Sequence, residues 1–363
     1  MTTGSTRAPE AVVPVSAEPD STDPRLTDWD RISGWLHGQG IGPDPGLPVQ
    51  VLAGGTQNIL IRYRHGDRDL VLRRPPLHLR KSSNRVLRRE VEILGALAGS
   101  EVPHATLVAS CTDESVTGGV FYVMEMVKGF NPALEVPENF AESRELRRDL
   151  AFHAMDVLAT IGNVDHHGVG LTDFGNPEGF LERQVPRWLR ERESFAALEG
   201  YPGVELPGLQ QISAWLDDNR PATFRPGIMH GDYHLANLIF STEDARVLAV
   251  VDWEMATIGD PLLDLGRFLA TWPSADEPIG TAGPIYQTDG LPTGAELVER
   301  YSATSDLDVR AVDWYTVLAC FKIGIILEGT HARSCAGLAD RAVGARLHQM
   351  SQALFRRAER IVS

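Results

Sequence analysis

Two histidines, an aspartate and an asparagine (His230, Asp232, His234 and Asn237) fall within one stretch, MHGDYHLANLIF, from Met229 to Phe240. Two chemistries suit such a set. His-x-Asp-x-His offers imidazole and carboxylate ligands to a transition metal. No second histidine or carboxylate cluster follows at matching spacing, which weighs against a metal hydrolase. The other chemistry is movement of a phosphoryl group. It needs one carboxylate to orient the attacking hydroxyl and accept its proton, and a second carboxylate with an amide oxygen to hold Mg2+ against the phosphates. Asp232, then Asn237 five positions on, then Asp252 at the end of the strand-like run VLAVVDWE, follow that order. Asp232 is read as the base, and Asn237 and Asp252 as magnesium ligands. Glu254 would either assist the metal or face solvent.

A nucleotide would need its own residues, and the N-terminal part of the chain offers them. AGGTQN contributes Gly54, Gly55, Thr56 and Asn58 between two strands, where backbone N–H groups could cover phosphates. DLVLRR places Arg73 on a strand, from which it could reach the α- and β-phosphates, and Glu90 on the following helix could pair with it. Backbone groups of Glu125 and Val127, in FYVMEMV, could take adenine. No GxxxxGK[ST] run exists, which excludes a Walker-type phosphate loop.

The elements that must position these residues change character along the chain. VQVLAGG, NILIRYRHGDRDLVLRRPP and GGVFYVMEMV read as strands, with Gly66-Asp67 as a hairpin turn. LTDWDRISGWLHGQG is helical in spacing, and NRVLRREVEILGALAG is a helix with Val86, Val91, Leu94 and Leu97 toward a core and Glu90 on its flank. After the connector at Glu125 to Asn131, helices dominate. One strand pair, NLIF with RVLAVVDWE, interrupts them, and Thr293-x-x-Glu296 forms a capping box. The last helix is expected to bury Val343, Leu347, Met350, Leu354 and Ile361.

Bulk properties narrow the field. The formal net charge of -15 disfavours a broad nucleic-acid surface. Lysine occurs only at Lys81, Lys128 and Lys322, so arginine carries nearly all the positive charge. Cys111, Cys320 and Cys335 form no CxxC pair, which fits a reduced, cytoplasmic setting. The apolar stretch from Trp314 to Gly329 contains Lys322 and is shorter than a membrane span, so a buried helix is expected. The first 24 residues carry no apolar signal core and read as a disordered tail.

HGDYHLAN, VVDWEMATIGDPLLDLG and LVLRRPP together resemble the aminoglycoside phosphotransferase family. GFLERQVPRW, GLPTGAELVERY and FKIGIILEGTHAR are similar to its branch of kinase-like domains fused to some acyl-CoA dehydrogenases. The resemblance covers nearly the whole chain from Trp29. It implies an α+β, protein-kinase-like two-lobe fold: a tail over 1–24, a nucleotide-binding N-lobe over 25–127, and a catalytic, substrate-binding C-lobe over 128–363. It implies ATP and Mg2+ as cofactors and a small-molecule hydroxyl as acceptor, with neither nucleic acid nor membrane as partner. Asp232 would be the catalytic aspartate. His230, Asp260 and Asp264 would support its loop. Arg73 stands where kinases usually carry lysine, and a rigid guanidinium fork replaces a point charge there. The branch's Leu-His is replaced by Ile161-Gly162.

The fused branch implies a hydroxyacyl-CoA or hydroxy acid as acceptor. Arg183 and Arg187, in RQVPRWLRER, would form a basic rim for it, with His234 as a further substrate contact. WPSADEPIGTAGPIYQTDGLPT has the glycine and proline content of a lid. An aminoglycoside or macrolide is the alternative acceptor, which the overall acidity would suit. A nucleotide-binding pseudokinase is the third reading, to which the intact Asp232, Asn237 and Asp252 stand opposed.

Overall fold

A computed structural model describes residues 23–52, 58–76, 82–273 and 283–363. Gly54, Gly55 and Thr56, most of the expected tail and the middle of the lid-like loop lie outside them. Asp23 and Pro24 belong to a defined turn, in which Asp23 Oδ1 accepts the Arg25 amide at 2.8 Å.

Along the chain come α1 (Trp29–Gly38), β1 (Gln50–Val51), β2 (Ile59–His65), β3 (Arg68–Arg74), α2 (Ser83–Leu97), β4 (Leu107–Cys111) and β5 (Phe121–Glu125). Next are α3 (Glu138–Glu142), α4 (Arg144–Asn163), α5 (Gln184–Ser194) and α6 (Leu209–Asp218). Four short strands follow: β6 (Gly227–Met229), β7 (Leu238–Phe240), β8 (Val247–Val250) and β9 (Thr257–Gly259). The chain finishes with α7 (Leu262–Ala270), α8 (Gly294–Thr304), α9 (Val312–Cys335) and α10 (Arg341–Val362). It divides into two compact units, Met1–Leu146 with Ala236–Glu254, and Arg147–Leu235 with Met255–Ser363. The first unit therefore runs past Val127 and takes in the later segment that carries Asn237 and Asp252.

In the first unit, β1 to β5 make one antiparallel sheet in the order β1-β2-β3-β5-β4. The β2–β3 hairpin turns at Gly66-Asp67, pairing His65 with Arg68, and Gly66 has φ +60°, which glycine adopts without strain. Alternation sends Ile59, Ile61 and Tyr63 of β2 and Leu70 and Leu72 of β3 into a core shared with Ile32 and Leu36 of α1. Arg73, one residue out of phase with Leu72, points to the other face. There α2 presents Leu87, Glu90, Ile93, Leu94 and Leu97, all buried. Val86 and Val91 are only partly buried, so the packed face is rotated from the one expected, and Glu90 lies within it. No sequence pattern marks β4, an edge strand with four of five residues half-buried and no alternation. The β7–β8 hairpin joins this unit through backbone bonds: Phe130 and Phe240 exchange amides at 2.9 and 2.8 Å, and Val250 donates to Pro103 at 2.9 Å.

In the second unit, α9 is buried nearly all round and packs against α7, α10, α5 and α6. The capping box at α8 is present: Glu296 donates its amide to Thr293 Oγ1, and its carboxylate accepts the Thr293 amide at 2.7 Å. α10 buries Gly344, Ser351, Leu354, Phe355 and Ala358, while Val343 is exposed. The expected apolar face misses this because small residues carry the close approach. A Cβ on Gly344 would meet Ser334, and Ser351 Oγ donates to the Gly324 carbonyl at 2.8 Å. The antiparallel pair β6–β9, three residues per strand, was not expected either. Among the described residues no helix is long and apolar enough to cross a membrane.

The contact of α7 with α9 is tight at Gly266, where a Cβ would lie 2.4 Å from the Tyr315 backbone. Gly266→Ala should therefore lower stability by about 1–3 kcal/mol through overpacking. The check is the urea midpoint, with Gly294→Ala as control, because a Cβ there meets Leu269 at an ordinary 3.7 Å.

Candidate active site

In the first unit, strand β3, helix α2 and the segment after β8 converge on one guanidinium. Arg73 Nη2 donates to Glu90 Oε1 and to Asp252 Oδ1, both at 2.8 Å, and lies 3.8 Å from Glu254 Oε2. The Tyr122 hydroxyl donates to the other Glu90 oxygen at 2.9 Å. Burial pushes the Glu90 carboxyl up to about 7, against the pull of Arg73 and of the Tyr122 hydroxyl. Asp252 sits at φ +66°, a left-handed backbone that costs a residue with a Cβ about 1–3 kcal/mol and concentrates at functional sites. Its side chain is 40% exposed, so this carboxylate is within reach of a ligand.

Glu90, Asp252 and Glu254 have carboxylate oxygens within 4.8 Å of one another, around a single arginine. The charge is in excess negative and the donors are all oxygen, which suits a hard cation such as Mg2+ rather than a softer metal. Asn237 stands at the same end of the β7–β8 hairpin: Val251, next to Asp252, donates its amide to the Asn237 carbonyl at 2.9 Å. Of the two residues expected to hold Mg2+, Asp252 belongs to this all-oxygen group, and Asn237 is tied to its neighbour through the backbone.

Of the nucleotide-binding residues expected from the sequence, Asn58 lies in a bend leading into β2. The Glu125 amide is committed to the Thr106 carbonyl at 2.9 Å and its carboxylate pairs with Arg68 at 3.1 Å. A purine ring at this edge would have to use other backbone groups of Glu125 and Val127.

In the second unit, β6 delivers His230 and β9 delivers Asp260, so the short strand pair sets the positions of both. Asp264, in the first turn of α7, accepts the His230 amide at 2.6 Å and the Gly231 amide at 2.9 Å. Gly231 has φ +85°, and a Cβ there would come within 2.5 Å of the Met255 carbonyl, so the tight turn admits only glycine. Lys322 donates to the Gly231 carbonyl at 3.3 Å, and buried His230 accepts the Asp232 amide on Nδ1 at 3.3 Å. Asp260 accepts the Leu262 amide at 3.1 Å, starting α7, and the Tyr315 hydroxyl at 2.6 Å.

The Asp232 carboxylate has a basic side chain at each oxygen. Arg267 Nε donates to Oδ1 at 2.9 Å, and His234 Nε2 lies 3.4 Å from Oδ2. Burial alone would raise its pKa, but the His234 hydrogen bond and the Arg267 charge reverse this and hold the group well below the usual carboxylate range.

Arg187 lies 5.1 Å above the Trp188 ring and Lys322 lies 5.8 Å from the same ring. Arg183 is instead engaged by its own loop, donating to the carbonyls of Asn176 and Glu178. Sequence reasoning missed Arg267 and the role of Lys322. The signals were there: Arg267 follows Asp264 by three, on one helix face, and Lys322 is a lone charge in an apolar run.

The profile of the Phosphotransferase enzyme family (APH) matches residues 48–297. Acyl-CoA dehydrogenase family member 10 of Mus musculus is 32% identical over 310 residues, covering 83% of this chain and 28% of its own length. Family member 11 of Homo sapiens is 29% identical over 309 residues, covering 83% and 38%. The chain thus spans less than two fifths of these relatives. Among solved structures, a Ralstonia eutropha JMP134 protein assigned as an aminoglycoside phosphotransferase superposes with a TM-score of 0.74 at 27% identity, over 92% of this chain and 98% of that one. A GDP complex of aminoglycoside 2'-phosphotransferase-IIIa gives 0.60 at 14% identity, over 91% and 99%, a likeness of fold. The α+β kinase-like fold expected from the motifs is the fold observed.

Asp260 carries a measurable consequence. Burial, opposed by the Tyr315 hydroxyl and the Leu262 amide, raises its pKa from 3.8 to about 6. The folded state therefore keeps a proton that the unfolded chain releases, and stability falls as pH rises from about 4 to about 6, at most by about 1.4 kcal/mol per unit. Asp260→Asn should flatten that slope in urea unfolding followed across the window. An unchanged slope would assign the proton elsewhere.

Proposed function

Given that the chain belongs to the phosphotransferase enzyme family, we propose that this ATP-dependent small-molecule kinase phosphorylates the hydroxyl of a hydroxyacyl-CoA or related hydroxy acid, with Asp232 as the residue that aligns that hydroxyl. The observation that carries the role is the Asp232 carboxylate, held ionised by Arg267 and His234 on a loop pinned through Asp264. It accepts the hydroxyl's hydrogen bond and takes its proton as the oxygen attacks the terminal phosphorus. Arg73, held by Glu90, binds phosphate oxygens through its fork. Asn237 and Asp252 would supply ligands for Mg2+, with Glu254 next to Asp252; when bound, that ion would offset the phosphates' negative charge.

Support for an anionic acceptor comes from the second unit. Arg187 and Lys322 flank Trp188, whose indole N–H is buried without a hydrogen-bond partner among the described residues. Cations and a spare donor suit carboxylate or phosphate groups. The curated relatives carry acyl-CoA dehydrogenase names, which agrees with a CoA-linked substrate. An aminoglycoside acceptor is the second reading, favoured by the net charge of -15 and by the kanamycin bound to one structural neighbour. Free thiols and ATP go with a cytoplasmic setting.

The test is ATP consumption measured with hydroxyacyl-CoAs, aminoglycosides and macrolides in parallel. Turnover with hydroxyacyl-CoAs is expected, and Asp232→Ala should reduce it by about 10²–10⁴-fold while ATP still binds. Turnover with kanamycin-type compounds alone would sink the acceptor assignment; undiminished turnover in Asp232→Ala would sink the mechanism.

A second expectation concerns Arg267. In Arg267→Ala the Asp232 carboxyl loses its arginine, so its pKa rises toward the ordinary range. An acid limb should then appear in kcat at a pH where the wild type is flat. Identical pH profiles would show that Arg267 does not tune the aspartate.

A further inference from the structure

The C-terminal half of α9 and the middle of α10 bring three metal-ligating side chains together, away from any residue used above. Glu328 and His331 are three apart on α9, so they share a face, and His348 comes from α10. Their ligand atoms all lie within 4.8 Å of one another. We propose that Glu328, His331 and His348 bind one divalent transition-metal ion, zinc foremost, as a clamp between α9 and α10.

The arrangement of hydrogen bonds around the three residues supports this. Ligating histidines usually engage a partner through the ring nitrogen that does not touch the metal, which fixes tautomer and orientation. Here the Nε2 atoms have such partners: His331 Nε2 lies 3.7 Å from Cys335 Sγ, and His348 Nε2 lies 2.9 Å from Gln352. The Nδ1 atoms are the ones left for an ion. His348 Nδ1 is 2.7 Å from Glu328 Oε2, and the Tyr201 hydroxyl holds Glu328 Oε1 at 2.8 Å. The rings of His331 and His348 stack with centroids 4.5 Å apart.

A metal-free network is the competing account. It satisfies Glu328, which is 0% exposed, together with His348 and Tyr201. It fails at His331 Nδ1, which is buried and has no hydrogen-bond partner among the described residues. Leaving a buried polar atom unmatched costs about 1–3 kcal/mol, and an ion on its lone pair removes that cost. Two imidazoles and a carboxylate form a donor set that suits zinc better than magnesium. Zinc–ligand bonds of about 2.0–2.2 Å would draw the three ligand atoms, now within 4.8 Å of one another, onto one ion. On binding, the His348 proton moves from Nδ1 to Nε2 through solvent, the Gln352 amide turns to present its carbonyl oxygen to Nε2–H, and a water takes the fourth position.

The experiment uses the full chain, stripped with a chelator and returned to excess Mg2+ so that hard oxygen sites are filled. Titration with Zn2+ by calorimetry should give one ion per chain and a raised Tm. Co2+ in its place should give the visible absorption of four-coordinate cobalt. His331→Gln and His348→Gln should each weaken zinc binding by about 100-fold or more. Zinc that binds equally well to both variants is adventitious and overturns the proposal. If a variant does not fold, the wild-type cobalt spectrum decides, and one lacking the four-coordinate signature overturns it too. None of these readouts depends on phosphoryl transfer.

Discussion

Asp264 is a carboxylate with almost no exposure, and it takes two consecutive backbone N–H groups, those of His230 and Gly231. Burying a charge is tolerable only where hydrogen bonds and opposite charge replace water. The second unit meets this demand with the two amides and with Lys322, whose own pKa burial lowers while Asp264 and Asp232 pull it back up. Several other features follow from the same requirement. Position 231 must be glycine so that both amides can turn inward. β6 and β9 must pair so that His230 arrives opposite α7. The lone lysine of α9 must sit in an apolar helix because the loop's carbonyl is there.

The first unit uses the same device with the signs exchanged. Arg73 is the buried cation, and Glu90, Asp252 and Glu254 surround it. Glu90 has a second donor in Tyr122 and is almost inaccessible, so its place is structural. Asp252 is the exposed member, and its oxygens are shared between the arginine and whatever approaches from solvent. The sheet and α2 fix one end of this cluster, and the β7–β8 hairpin fixes the other.

Residues whose chemistry needs a fixed order along the chain were legible in the sequence. His230, Asp232, Asn237 and Asp252 belong to a single segment, so spacing alone exposes them. The β2–β3 hairpin was legible because alternation and a Gly-Asp turn agree. What escaped depends on partners distant in sequence. Arg267 matters only because α7 passes the loop, and its three-residue spacing from Asp264 does not by itself point to Asp232. β6 and β9 are too short to show a period. The faces of α2 and α10 were misjudged for one reason: a charged Glu90 and the small Gly344, Ser351 and Ala358 occupy buried positions that an apolar count passes over.

The left-handed backbone at Asp252 also bears on how this chain can change over evolutionary time. The position filters residues twice, once by backbone and once by charge. Asparagine and glycine meet the first filter, since both accept positive φ readily, but neither restores the carboxylate. Valine or isoleucine would fail both. A lineage released from catalysis would therefore be channelled toward Asn or Gly at 252, with the fold intact and the charge gone. A catalytically idle descendant would bear that mark in a single codon.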